Sequence, residues 1–180
     1  MRKAVIGSVL IIFGNSFQIQ AQSLNNEDIR AQFIQDWERA KAYTVDYLNT
    51  VPADKYFFKA TDSIRTFAQH MLHLAQSSVN IMAPLAGMQN VTGEKILEER
   101  KTAQTKDSVM YWVVTSYDFF IRGLKTMDMT ALNKKVKLYN WEETTYAWLL
   151  KAFEHQTHHR AQTTIYIRLL GLHPPQERLF

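Results

Sequence analysis

Six histidines occur in the chain, and five of them fall in two clusters, His70/His73 and His155/His158/His159. Imidazole nitrogens ligate divalent metals when neutral, and two histidines one helical turn apart can chelate a single ion. His155 and His159 have that spacing. At about 100° per residue they lie within about 40° of each other, on a stripe shared with Trp148, Gln162, Tyr166, Leu169 and Leu170, with His158 at its edge. An interior H-x-x-x-H pair is also compatible with ordinary hydrogen bonding, so the pair alone does not establish a site. His73 shares its helical side with Thr66, Gln69, Ser77 and Asn80, opposite an arc of Phe67, Met71, Leu74, Ser78 and Met82. That pattern fits a solvent-facing histidine. It equally fits a third ligand in a polar crevice lined by Thr66, Ser77, Asn80 and Tyr166, which would suit a small polar substrate.

The chain has no cysteine, which excludes disulfides, thiolate ligands and a thiol nucleophile of its own. Any metal must therefore be held by histidines and carboxylates. Three neutral imidazoles would leave the full divalent charge to polarise a water or substrate oxygen. Zinc, nickel, iron and manganese all accept such ligands. Gln162 could orient a water, although filling the core is the simpler role. Arg160 points away from the ligand stripe, as a structural ion pair would require, and Glu154 is also off it. The spacing identifies no general base.

These residues need rigid elements to carry them. Only 6 glycines and 4 prolines occur in 180 residues, which suits long helices better than a turn-rich sheet. Asn25 or Asn26 can cap a first helix with Ile29, Phe33, Trp37, Ala40, Thr44, Tyr47 and Leu48 at spacings of three and four, ending near Val51-Pro52. Asp62 or Ser63 can cap a second, running to about Ala83 before Pro84. After a linker to about Lys106, Thr105 or Asp107 opens a third through Phe119 and Phe120. Gly123 to Tyr139 reads as a crossing segment in which Lys134, Lys135 and Lys137 are solvated. A fourth helix starts between Trp141 and Thr144 and stops at Leu170-Gly171 before Pro174-Pro175. The expected fold is all-α, a four-helix bundle over residues 22–180 with long crossover connections.

Met1-Arg2-Lys3, the apolar run Ala4 to Phe13 and the polar stretch to Ala21 have the layout of a signal peptide over residues 1–21. The expectation is an exported protein, periplasmic or secreted, without stable membrane insertion once the signal is removed. The formal charge of +4 includes Arg2 and Lys3, so the remainder carries 19 basic against 17 acidic residues. That balance, without a dense basic face, argues against nucleic-acid binding. An exposed helix face would be compatible with a homodimer.

Arg65-Thr66-Phe67-Ala68-Gln69-His70-Met71-Leu72-His73-Leu74-Ala75, then Thr105-Lys106-Asp107-Ser108-Val109 with Ser116-Tyr117-Asp118, and finally Glu154-His155-Gln156-Thr157-His158-His159-Arg160-Ala161-Gln162 with Leu169-Leu170-Gly171 and Pro174-Pro175 resemble the DinB family of metal-binding four-helix bundles. The resemblance spans roughly residues 27–175, and its last motif is the most specific. It implies that His73, His155 and His159 are the metal ligands, with His70, three residues from the family position, as a rival to His73. Ala161 stands where relatives commonly have glycine, a packing position. The resemblance further implies a metal-dependent enzyme, either a hydrolase or a transferase that activates a low-molecular-weight thiol. The alternative is a non-catalytic metal-binding, stress-associated or structural bundle.

Overall fold

The computed structural model describes residues 25–180; the signal peptide expected over residues 1–21 lies outside the described residues. Four helices dominate: α1 (Asn26–Thr50), α2 (Phe67–Ala86), α3 (Lys106–Thr126) and α4 (Thr145–Leu169). Their starts are set by side-chain caps that accept the orphan N–H groups of the first turn. Asn25 caps α1, Thr105 caps α3 and Thr144 caps α4. At α2 the expected caps, Asp62 and Ser63, are displaced by Thr66. Its hydroxyl accepts from the Gln69 N–H while the Gln69 side chain accepts from the Thr66 N–H, a reciprocal box that satisfies two donors at once.

The second helix also outruns its expected end. Pro84 sits inside its last turn, and the chain stops at Gly87 with φ +63°. A proline so close to the terminus removes one helical bond, and the left-handed glycine then closes the end. Likewise α3 passes through Gly123 instead of ending before it. A Cβ at Gly123 would run into the side chain of Met82, so this glycine lets α2 and α3 approach closely and is not a helix stop.

Packing follows an unexpected connectivity. Both α1 and α2 pack against α3 and α4, which places α1 diagonal to α2 and α3 diagonal to α4. The segments that cross the bundle are therefore 51–66 and 127–144, whereas the longest connection, 87–105, joins the neighbours α2 and α3. Trp37 holds three helices together: its ring stacks on Phe120 at 3.6 Å and meets Phe153 edge-on at 5.8 Å. Each such aromatic pair adds roughly 0.5–1.5 kcal/mol beyond its buried area.

The all-α expectation holds for the bundle, and one connecting segment departs from it. Residues read as a solvated crossing segment form an antiparallel hairpin of β1 (Lys135–Leu138) and β2 (Trp141–Thr144). The two-residue loop puts Tyr139 at φ +56°, the left-handed geometry that tight hairpins require. Lys135 and Lys137 are exposed, as expected, but they alternate with Val136 and Leu138 packed on the core. The Trp148 indole donates to the Val136 carbonyl and ties the hairpin to α4.

Candidate metal centre

His73 of α2 and His155 and His159 of α4 come together, each offering a ligand nitrogen, with all three nitrogens within 4.8 Å of one another. The rings of His155 and His159 are 4.5 Å apart and those of His73 and His159 4.6 Å. A three-imidazole donor set is one that divalent transition metals accept. His159 is buried, while His73 and His155 are partly accessible. Of the stripe on α4, Trp148 and Tyr166 are buried as expected and Leu170 packs against the core, but Leu169 is 57% exposed.

The electrostatics favour ligation. Burial, reinforced by the charges of His73 and His158, pushes His155 down to about 4. Burial and the neighbouring His155 and His73 push His159 down to about 3. Both imidazoles are thus neutral at pH 7, with a lone pair available for a metal.

Around this cluster lies a set of residues that helical spacing does not reveal. Glu98, in a 3-10 turn of the 87–105 connection, places Oε2 3.1 Å from Nδ1 of His73. A carboxylate can only accept, so Nδ1 of His73 carries the proton and Nε2 is left with its lone pair free. Arg65 grips the same carboxylate with Nε at 2.9 Å and Nη2 at 3.0 Å. Its Nη2 also approaches His73 Nδ1 at 3.5 Å, but with both groups acting as donors this is only a contact. Burial raises the Glu98 carboxyl, yet the hydrogen bonds and charges of His73 and Arg65 outweigh it and hold the group at about 2.

The connection is fastened to the ligand-bearing helix. Gln76, one turn beyond His73, accepts from the Leu97 N–H at 2.7 Å and donates to the Lys95 carbonyl at 3.1 Å. Gln104 donates to the Glu98 carbonyl at 2.7 Å, and Leu97 is fully buried. Glu98 is therefore held from both sides.

Two recesses flank the histidines. The larger, about 690 Å³, is lined by Arg65, His70, Glu98, His158, His159 and Tyr166 among others; Gln162 also faces it and is exposed, so this amide does not fill the core. The smaller, about 340 Å³, has His73, Ser77, Trp148 and His155 in its wall together with Tyr139 from the hairpin. The expected crevice of Thr66, Ser77, Asn80 and Tyr166 is accordingly not one crevice. Ser77 and Tyr166 belong to different recesses, Thr66 is spent on its cap, and Asn80 accepts from Asn90 at 2.7 Å.

Arg160 does point away from the ligands, but not into an ion pair. It is buried, donates to Gln156 at 2.8 Å and to Thr44 at 3.3 Å, and sits 4.7 Å from the centre of the Tyr43 ring. Among the described residues no carboxylate pairs with it. His70 is buried too, with Nδ1 3.2 Å from Nδ1 of His159 and Nε2 3.1 Å from the Tyr166 hydroxyl. Among the described residues, no helix is long and apolar enough to cross a membrane.

Comparison with known proteins agrees with this architecture. The family model described as the DinB family matches residues 21–178. A DinB-like protein from Bacillus cereus ATCC 10987 superposes with a TM-score of 0.69 at 16% identity, over 82% of this chain and 96% of its own. Another, YjoA from Bacillus subtilis, gives a TM-score of 0.63 at 15% identity, covering 83% of this chain and 96% of its own. At such identities the likeness is one of fold. No curated protein matches the chain.

Proposed function

The chain belongs to the DinB family, and from that premise we propose that it binds one divalent transition metal through His73, His155 and His159 and hydrolyses a small polar substrate there. The observation that carries this reading is the convergence of three ligand nitrogens within 4.8 Å, with His159 in the wall of a polar cavity of about 690 Å³. When bound, an ion with three neutral ligands supplies Lewis acidity and lowers the pKa of coordinated water.

The protein's own residues do the rest. Glu98 keeps the proton of His73 on Nδ1, and Arg65 keeps Glu98 ionised and oriented. His158, exposed at the cavity and with its ring 5.0 Å from that of His159, is placed to accept or return a proton. Gln162, and Gln69 through the NH2 that its cap leaves free, offer amides that can hold a polar substrate in the cavity. With no cysteine in the chain, a thiol-transfer reaction would need a free thiol from outside. Export, the reading favoured by the basic and apolar opening of the sequence, makes that supply poorer and is part of the same proposal.

Elemental analysis of protein purified without chelator or metal-affinity tag tests it, beside His73→Ala, His155→Ala and His159→Ala. About one equivalent of a transition metal, lost in each variant, is expected. Metal-free protein that cannot be reloaded overturns the reading. Metal without turnover of ester, amide or thiol-acceptor substrates leaves a non-catalytic metal-binding bundle.

A further inference from the structure

His70 lies one turn before His73 on α2, and its hydrogen bonds give it a task of its own. The Tyr166 hydroxyl donates its one proton to the Arg65 carbonyl at 2.6 Å, since a backbone carbonyl can only accept. Toward His70 Nε2, 3.1 Å away, the same oxygen can then only accept, so Nε2 of His70 must carry a proton. His70 is buried and has no carboxylate among its hydrogen-bond partners; as a neutral imidazole it has a bare Nδ1. Opposite that lone pair, at 3.2 Å, is Nδ1 of His159, which must therefore be the donor.

We infer that His70 is a positioning residue, not a ligand: through the chain Arg65 carbonyl, Tyr166, His70, it fixes His159 with its proton on Nδ1 and its lone pair on Nε2. Both nitrogens of His70 are used, so none is left for a metal. The backbone carbonyl of Arg65 thus sets the tautomer of a histidine on a different helix, while the Arg65 side chain, through Glu98, does the same for His73. One residue at the entrance to α2 governs two imidazoles by separate routes. The usual partner of a metal-binding histidine is a carboxylate, carbonyl or water; here a second neutral imidazole takes that place for His159. The consequence for metal affinity rests on the proposed metal site, but the tautomer is a property of the metal-free chain.

The test is long-range proton–nitrogen NMR of ¹⁵N-histidine-labelled, metal-free protein at neutral pH, with His159 identified by its loss in His159→Gln. His159 is expected with the proton on Nδ1 and His70 with it on Nε2. In His70→Phe, His159 should shift toward the Nε2–H form that a free histidine favours, and zinc affinity should fall by about tenfold or more. His70→Gln should restore both, because its amide can accept from His159 and donate to Tyr166. Wild-type His159 with its proton on Nε2 overturns the inference, as does a folded His70→Phe with unchanged tautomer and affinity. If His70→Phe does not fold, the wild-type spectrum and that of Tyr166→Phe, which should loosen the same tautomer, decide. The expected tautomer in a protein that takes up no zinc would sink the metal reading and leave the relay standing.

Discussion

Oε2 of Glu98 and Nδ1 of His73 lie 3.1 Å apart although the two residues are 25 positions apart in the sequence. The carboxylate does not reach the ligand cluster as a fourth donor; it acts through the imidazole. Glu98→Gln preserves shape and removes the charge. Zinc affinity should fall by about tenfold or more, measured by competition with a chromophoric chelator, with the helical circular dichroism unchanged. Undiminished affinity would mean that His73 needs no carboxylate behind it.

The depressed histidines make the metal-free protein acid-sensitive in a defined window. Burial holds His70 and His155 at about 4 and His159 at about 3, against 6.5 for the free side chain. Above about pH 6.5 folded and unfolded chains are both neutral at these positions, and their contribution is complete. As pH falls, the unfolded chain takes up protons that the fold refuses, so stability declines until pH 3–4. Glu98, at about 2 instead of 4.5, contributes above pH 4.5 and loses its contribution as pH falls through 2. Thermal melts from pH 8 to 4 should therefore show falling Tm below about 6.5, with a shallower fall in His159→Phe.

Arg160 should be structural. Replacing it with methionine keeps much of the volume but removes the bonds to Gln156 and Thr44 and the approach to Tyr43. Tyr117 still donates to Gln156 at 2.8 Å, so the acceptor is not abandoned. A loss of about 1–3 kcal/mol is expected, read from urea unfolding, with metal stoichiometry retained. A loss of metal at full stability would instead place Arg160 in the service of its neighbour His159.

Gly123→Ala should cost about 1–3 kcal/mol through overpacking against Met82, partly offset by the better helix propensity of alanine. Combining it with Met82→Ala should recover part of the loss, and a double-mutant cycle in urea would measure the coupling.

What the sequence disclosed is what local chemistry encodes. Asn25 and Thr105 are both among the expected caps, Gly171 takes φ +73° just beyond α4, and the shared face of His155 and His159 follows from turn spacing. Thr66 does not stand out as a cap although Thr-x-x-Gln is a capping-box signature, because Asp62 and Ser63 offer the same hydroxyl and carboxylate chemistry just upstream. Pro84 and Gly123 looked like breaks because propensity weighs against them; a terminal turn and a close helix contact override it. The hairpin strands are four residues each, too short for alternation to stand out. Glu98 had no periodic signal: choosing it over Glu94 or Glu99 requires knowing that Gln76 fastens the backbone beside it.

That fastening has a thermodynamic corollary. Gln76 makes α2 and the 87–105 connection a single mechanical unit that carries Glu98 against His73. Whatever favours the proton on Nδ1 of His73 also favours the seated connection, so an ion bound through His73 would exchange free energy with the loop reciprocally. Loading zinc should slow amide hydrogen exchange at Leu97, whose N–H is held by Gln76. By the same coupling Gln76→Ala, which removes no ligand, should weaken zinc binding by at most the factor by which it loosens the loop. The segment that looks most like a spacer would then be the part of the molecule that reports an ion's occupancy to its surface.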